Sequence, residues 1–208
     1  DLGHPEEALR AFLAAYRINK KLKNNILASF NLQQAASILR DEGQYEQAIG
    51  YLEESIQLSQ SIGNLTGLSS AYHSLGTLHM AQKSYDKALA YFRMALSMKK
   101  DIGSPKKVLN TIVNMANLYV QTAQYDSCLA LCKYYLPLSH KIEHKIAASN
   151  LAFLGSISAA KTGRMALARQ YLASGEQVIS RMKVRQEMPE VYQLATKSHA
   201  TLGYFEKA

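Results

Sequence analysis

Few residues in this sequence interrupt helices. Only 4 prolines and 11 glycines punctuate its 208 residues, and the Ala, Leu, Gln, Lys and Ser between them form long stretches, most of whose residues favour helices. No apolar run approaches the roughly 18 residues that a membrane-spanning helix needs. The composition therefore predicts helices nearly throughout and argues against a membrane span in this segment.

Cysteine is also scarce, since only Cys128 and Cys132 are present. Their spacing of four residues places them one above the other on one helix face, rather than in disulfide geometry. A metal site would need further ligands nearby, and none appears. We expect two buried thiols. Two cysteines do not decide the redox compartment. A cytoplasmic location is slightly favoured, and a periplasmic sensor segment is the alternative.

Acidic residues are scarce in the second half of the chain. The net charge is +8, of which residues 104–208 contribute +7. A basic half can favour an acidic partner or a nucleic acid. However, the lysines concentrate where second helices should end, and there they meet the negative end of the helix dipole. Because no aromatic-basic interleaving accompanies the charge, we expect no nucleic-acid binding through this segment.

A shift of 40 residues brings the sequence into register with itself. The segments Gly43-Gln44-Tyr45, Lys83-Ser84-Tyr85 and Ala123-Gln124-Tyr125 align, and Gly3, Gly163 and Gly203 share the same turn position. A small residue follows each turn by five positions: Ala8, Ala48, Ala88, Cys128, Ala168 and Ala208. Apolar residues recur at three and four positions, so each unit contains two helices, and the small residues let them cross closely.

These features resemble the tetratricopeptide signature, in the Gly-x-Tyr-x-x-Ala turn and in the upstream pair Leu75-Gly76. The resemblance covers the whole chain, with a period of 40 residues rather than about 34. It is similar to the longer-helix branch of kinesin light chains, Pins-type adaptors, Rap-type peptide receptors and bacterial transcriptional sensor-regulators. It implies an all-α fold, a right-handed α-α superhelix of about ten helices, which binds a peptide or protein in its concave groove.

The register predicts a single array over residues 1–208. It comprises a partial repeat at 1–24, repeats at 25–64, 65–104, 105–144 and 145–185, and a partial repeat at 186–208. A leading helix is expected at 186–202, with a further helix beginning at 204. Pro137 should kink or end the last turn of its helix. Because both ends cut a repeat, we expect the array and any output domain to continue outside this sequence.

Residues for catalysis are missing from the pattern. No nucleophile, base and orienting group converge, and no phosphate-cradling glycine loop follows a strand. The sequence thus predicts no enzymatic activity, no cofactor and no metal site. Among the histidines, His79 and His199 occupy a buried repeat position, and His140 and His144 are separated by the end of a helix. His73 falls on the groove face.

The resemblance assigns the groove to the first helix of each pair. The candidate binding residues are Gln34, Ser37, His73, Ser74, Thr77, Asn110, Asn114, Asn117, Asn150, Phe153, Leu154 and Ile157. Asparagine amides both donate and accept, so Asn114 and Asn117 can bond a peptide backbone.

The last three candidates are expected to receive an apolar anchor or, alternatively, to pack on the next helix. The lysine pattern that clamps a terminal carboxylate in chaperone-binding relatives is not reproduced. The sequence favours a scaffold that binds a peptide or protein. The alternative is a structural segment that associates with a copy of itself.

Overall fold

The computed structural model describes residues 4–182 and 189–206. Within these residues the protein consists of ten α-helices, and no strand occurs among them. Their bounds are α1 Pro5–Lys21, α2 Asn25–Asp41, α3 Tyr45–Ser61, α4 Leu65–Ala81, α5 Tyr85–Asp101, α6 Pro105–Gln121, α7 Tyr125–Lys141, α8 Lys145–Lys161, α9 Met165–Ser180 and α10 Pro189–Glu206. The predicted all-α fold of about ten helices is confirmed.

The helices form two compact units, residues 1–104 and 105–208. In the first unit, each helix from α1 to α5 packs against the next, and α2 also contacts α4. In the second unit, α6 to α10 pack in the same consecutive way, and α8 contacts both α6 and α10. The division falls on a predicted repeat boundary.

A left-handed backbone residue follows each of the first eight helices. These residues recur every 20 positions: Lys23, Gly43, Gly63, Lys83, Gly103, Ala123, Glu143 and Gly163. At the second of these turns, the Gly43 N–H donates to the Arg40 carbonyl at 3.0 Å and the Gln44 N–H to the Leu39 carbonyl at 2.8 Å. These bonds satisfy carbonyls that the end of the helix leaves open. The chain reverses at the same point in every half-repeat.

Close helix crossings depend on small residues, as the repeat predicted. Ala48, Ala88 and Ala168 are fully buried. A Cβ atom added to Gly76 would lie 2.5 Å from Cδ1 of Phe92, so the phenyl ring of α5 occupies the space beside this glycine. A larger residue at position 76 would hold α4 and α5 apart.

The α8–α9 pair uses two glycines reciprocally. A Cβ at Gly155 of α8 would lie 3.1 Å from the Tyr171 ring of α9, and one at Gly175 of α9 would lie 2.6 Å from the Phe153 ring of α8. Each helix therefore inserts an aromatic ring over a glycine of the other. This exchange buries Phe153 completely.

One expected helix end is wrong, and of the two outcomes expected at Pro137, a kink or an end, the end does not occur. Gly203 lies inside α10, which continues to Glu206 instead of turning at the position that Gly43 and Gly163 occupy. The backbone at Gly203 is helical, whereas Gly43 and Gly163 are left-handed. Pro137 does not end α7, which runs on to Lys141. The Pro137 ring is exposed, whereas the nearby Leu136 and Ser139 are buried. Packing of these two side chains holds the last turn of α7 in place. The expected link at 183–188 lies outside the described residues.

Candidate functional site

The predicted site residues of the first unit lie on two neighbouring helices. Gln34 and Ser37 belong to α2, whereas His73, Ser74 and Thr77 belong to α4. All five are half-buried. Since α2 and α4 contact each other, the structure brings residues 40 positions apart in sequence onto adjacent turns. We call these five residues the polar surface of the first unit.

Arg40 ties this polar surface together. Its Nη1 donates to Thr77 Oγ1 at 3.1 Å and its Nη2 donates to Ser37 Oγ at 3.2 Å. The same guanidinium group forms an ion pair with Asp41, at 2.7 Å. Thr77 Oγ1 in turn donates to the Ser74 carbonyl at 2.8 Å. Sequence reasoning did not single out Arg40, because the repeat pattern does not specify which side chains bond across helices.

His73 packs into the first unit rather than standing in solvent. Its ring centroid lies 5.5 Å from that of Phe92. Burial, with smaller contributions from the positive charges of Lys99 and Arg40, lowers the pKa of His73 to about 3. The imidazole is therefore neutral near pH 7. A neutral ring can offer a ligand one donor and one acceptor, but no charge.

Lys99 is a buried lysine that the sequence analysis assigned to the helix dipole. Only 4% of its surface is exposed. The signal was present in the repeat, because Ser59 and Ser139 occupy the same position 40 residues to either side and both are fully buried. A long cation therefore stands where neighbouring repeats carry a small buried hydroxyl group. Its charge is one cause of the low pKa of His73.

The predicted asparagines of the second unit are partly accessible. Asn110 is exposed, and Asn114, Asn117 and Asn150 are half-buried on α6 and α8. Gln121 Nε2 donates to Asn117 Oδ1 at 3.5 Å, which keeps that side chain oriented along α6. We call these four residues the polar surface of the second unit.

The apolar part of the predicted groove is not an open surface. Phe153, Leu154 and Ile157 are 0%, 1% and 1% exposed. The reason is that α8 is surrounded, since it packs against α6, α7, α9 and α10. Of the two interpretations, packing against neighbouring helices fits the burial, and the apolar anchor surface at these residues does not. The sequence signal was a helix with apolar or small residues on every side, which is typical of a buried helix.

The two cysteines are buried, as expected. The Sγ atoms of Cys128 and Cys132 lie 3.9 Å apart on α7. Cys132 Sγ also donates to the Leu151 carbonyl of α8 at 3.2 Å. The neighbouring Cys128 thiol and burial raise the pKa of Cys132 well above its usual range. The hydrogen bond with Cys132 lowers the pKa of Cys128 instead, and both thiols are fully buried.

The histidine expectations held at one buried position and failed at the other. His79 is buried and its ring stacks on Tyr91, with centroids 5.3 Å apart. His199 is instead exposed on α10, where its Nε2 lies 2.9 Å from Glu176 Oε1.

Residues of the metal-binding types do not cluster in the described parts of the chain. No group of three or more His, Cys, Asp and Glu side chains there is arranged to hold a metal ion. His140 lies in α7, whereas His144 caps α8 by accepting the Ala147 N–H at 3.2 Å on its Nδ1. Across residues 4–182 and 189–206, no helix combines the length and apolar character needed to cross a membrane.

Comparison with known proteins agrees with this repeat architecture. The family model described as "Tetratricopeptide repeat" matches residues 25–101. No curated protein gives a significant sequence match. Among solved structures, the crystal structure of BtubC (BKLC) from P. vanneervenii aligns with a TM-score of 0.79 and 14% identity. That alignment covers 100% of this chain and 87% of the other.

A second solved structure is aspartyl phosphate phosphatase F from Bacillus subtilis, with a TM-score of 0.69 and 15% identity. The alignment covers 97% of this chain and 61% of that one. Identities this low show a shared fold and nothing more. The tetratricopeptide family is a non-catalytic scaffold family for protein interactions, and the match supports that general class of function. The chain therefore contains tetratricopeptide repeats at residues 25–101, within a helical repeat fold of the tetratricopeptide type.

Proposed function

We propose that the protein is a scaffold whose two units each bind an extended peptide or a protein segment along their own polar surface, on α2 and α4 in the first unit and on α6 and α8 in the second. The observation that carries this proposal is the repetition of half-buried amide and hydroxyl groups at equivalent positions of α2, α4 and α6. Gln34, Ser74 and Asn114 are separated by 40 residues each. Such groups can bond a peptide backbone without regard to its side chains.

The physical basis is that an extended peptide has a donor and an acceptor at each residue and needs both kinds of partner. The amides of Gln34 on α2 and Asn117 on α6 are groups that can both donate and accept. The burial of Phe153, Leu154 and Ile157 removes the apolar anchor from this site. Binding along the polar surfaces thus rests on hydrogen bonds, each contributing about 0.5–1.5 kcal/mol net.

The chain would act as the sensory or adaptor segment of a larger regulator in signal transduction, including transcriptional regulation. The repeat resemblance to sensor-regulators supports this role. The shared fold with the B. subtilis phosphatase F is consistent with it.

The test begins with peptides selected from a displayed random library against the whole chain. The best peptide is then titrated, by fluorescence anisotropy, against the parent and the variants Gln34→Ala and Asn117→Ala. Gln57→Ala serves as the matched control, because Gln57 is exposed on α3, the second helix of its pair. Each surface variant should weaken binding roughly two- to tenfold. Unchanged affinity in both, or an equal loss in the control, would refute the proposal.

A second candidate function is self-association through α1 and α2. Large apolar side chains are exposed at this end of the first unit: Ile18, Leu22, Ile26, Leu27 and Phe30. The first turn of α1 carries Glu6 and Glu7, and its last turn carries Lys20 and Lys21. In an antiparallel pairing of two α1 helices, the acidic turn of one copy would face the basic turn of the other.

Light scattering over a concentration series distinguishes the two functions. A mass that stays at one chain at all concentrations excludes self-association and leaves the peptide scaffold. Self-association is supported if the parent forms a dimer that dissociates in the variant Ile18→Ser but persists in Met94→Ser. Met94 is the matched control because it is also exposed, on α5.

A further inference from the structure

The second unit contains a cleft that the proposed scaffold function does not use. It has a volume of about 440 Å³ and is formed by the ends of α7 and α9 and the first turn of α8. Its polar lining residues are Ser139, His140, Glu143, Lys145, Gln177 and Arg181. None of the residues of the two polar surfaces lines it. The volume lies within the range typical of small-molecule sites.

The cleft has more basic than acidic side chains, since Lys145 and Arg181 line it with one carboxylate, Glu143. Among the residues that the structure describes, none forms an ion pair with Lys145 or Arg181. Gln177 adds an amide that can donate. Two cations that converge on one concave space attract an anion, and a guanidinium group pairs well with the oxygens of phosphate or carboxylate.

The carboxylate in the cleft discriminates between kinds of anion. Glu143, when ionised, is an acceptor only. The Ser139 hydroxyl is fully buried and donates to the Leu136 carbonyl at 2.6 Å, so its proton is already used. A fully ionised anion such as sulfate has no proton for Glu143 and is repelled by its carboxylate. A phosphate that retains one proton can donate an O–H to Glu143 while its other oxygens accept from the cations.

Glu143 is held in an unusual backbone conformation. Its φ of 54° lies in the left-handed region, where Gly63 and Gly103 occupy the equivalent turns. A glutamate there costs backbone energy that a glycine avoids. The carboxylate is therefore placed at the mouth of the cleft at some cost to stability.

We propose that this cleft binds the phosphoryl group of a small phosphomonoester. Lys145, Arg181 and Gln177 donate to the phosphoryl oxygens, and Glu143 accepts the remaining phosphoryl proton. The rest of the cleft holds the organic part of the ligand against Ala148 and Val178, the two apolar residues of its lining.

The first experiment compares inorganic phosphate with sulfate at pH 6 and constant ionic strength, using calorimetric titration of the whole chain. A phosphate ester has a second pKa near 6, so a large protonated fraction is present at this pH. Phosphate should bind more tightly than sulfate. In the variant Glu143→Gln, the affinities for phosphate and sulfate should differ less, because the glutamine amide can donate a hydrogen bond to sulfate. Equal binding of the two anions to the parent, or no binding of phosphate at millimolar concentration, would overturn the proposal.

The second experiment removes the cations one at a time. Arg181→Gln and Lys145→Gln should each weaken phosphate binding about tenfold or more, as for hydrogen bonds to charged groups. Lys106→Gln is the matched control, since Lys106 is an exposed lysine in the first turn of α6 outside the cleft. Lys145, Arg181 and Lys106 are all exposed, so the three variants should keep the circular dichroism spectrum of the parent. An equal loss in Lys106→Gln would show that only the net positive charge attracts phosphate.

A third titration identifies the source of the phosphoryl group. Glycerol phosphate and a phosphoserine-containing peptide are compared on the parent and on Arg181→Gln. Tighter binding of glycerol phosphate, lost in the variant, supports a small-molecule site. Tighter binding of the peptide would overturn the assignment to a small phosphomonoester.

Discussion

Arg40 Nη1 donates to Thr77 Oγ1 at 3.1 Å, and this bond joins α2 to α4 at Thr77, one of the residues predicted to contact a ligand. The guanidinium group is only partly exposed, with 26% of its side chain accessible. A charged donor held by hydroxyl groups of two helices fixes the spacing of those helices on the polar surface of the first unit. The bond therefore links the stability of this unit to the geometry of its proposed site.

Thr77→Val tests this link, because it keeps the shape of the side chain and removes the acceptor. Combined with Arg40→Gln in a double-mutant cycle, it should reveal a coupling energy of about 0.5–1.5 kcal/mol. Urea denaturation of the four proteins provides the measurement. Ser74→Ala, one turn earlier on α4, is the control and should show no coupling to Arg40. A coupling near zero for Thr77 would mean that the bond contributes nothing to stability.

His73 should make stability depend on pH. Its folded-state pKa of about 3 lies below the ordinary value of 6.5. As pH falls below 6.5, the unfolded chain binds a proton that the folded chain does not bind until about pH 3. The free energy of unfolding should therefore be highest above pH 6.5 and decline toward pH 3, with a slope of up to about 1.4 kcal/mol per pH unit from this group.

The variant His73→Gln should flatten this decline, since glutamine does not titrate and Gln33 already occupies the equivalent position of α2. Urea midpoints measured between pH 4 and pH 8 give the slope. His140→Gln, at an exposed position of α7, controls for the loss of any histidine. A slope in His73→Gln as steep as in the parent would show that His73 is not the group responsible.

Two helical glycines should respond in opposite directions to the same substitution. At Gly76 a new Cβ would lie 2.5 Å from the Phe92 ring, whereas at Gly50 nothing lies within 4 Å. Gly76→Ala should cost roughly 1–3 kcal/mol through overpacking. Gly50→Ala should instead stabilise α3 by about 0.5–1 kcal/mol through helix propensity. Thermal or chemical denaturation measures the change in the free energy of unfolding for each variant. If this change had the same sign in both, the close α4–α5 crossing would not constrain position 76.

The turn at Ala123 should be improved by glycine. Ala123 has a φ of 57° at a position where four of the eight equivalent turns carry glycine. A left-handed conformation costs an L-residue roughly 1–2 kcal/mol, and the greater freedom of glycine in the unfolded chain cancels about 0.4–1 kcal/mol of the gain. Ala123→Gly should thus raise the free energy of unfolding by about 0.5–1 kcal/mol. The reverse change, Gly43→Ala, should lower it, and equilibrium denaturation measures both.

The repeat register explains why so much of the fold was predictable. Turn residues and small residues recur at fixed spacing, so the positions of Ala48, Ala88 and Gly76 in the helix crossings followed from alignment of the sequence with itself. Each local signal agreed with the packing of its neighbours. Periodic patterns of this kind specify where helices begin, end and cross.

Burial that depends on the particular neighbours was not predictable in the same way. Lysine is rarely buried, and this general tendency outweighed the one signal for burial of Lys99, its alignment with Ser59 and Ser139. The exposure of His199 and the burial of residues 151–160 of α8 depend on which helices cover each position. Side-chain links such as Arg40 to Thr77 depend on rotamers, which the repeat pattern does not specify. These features determine the shape of the candidate surfaces, and therefore the site was predicted less well than the fold.

Phe153 provides the sharpest contrast between an expected binding residue and an observed core residue. Its ring is fully buried and lies over Gly175 of α9. Phe153→Ala should destabilise the second unit by about 3–5 kcal/mol, because it removes a large buried side chain and leaves a cavity between α8 and α9. Phe30→Ala is the matched control. It removes the same atoms at a position that is 51% exposed, and it should change stability little. Denaturation of the two variants measures the difference.

Peptide binding separates the structural role of Phe153 from a contact role. Under conditions where the second unit of Phe153→Ala remains folded by circular dichroism, this variant should bind the selected peptide as the parent does. Asn117→Ala, by contrast, should bind it less tightly while losing little stability, because Asn117 is half-buried at the surface of α6. If the folded Phe153→Ala protein no longer bound the peptide, the interpretation of Phe153 as an apolar anchor would be supported after all. In that case α8 would have to open when a ligand binds, because Phe153 is fully buried.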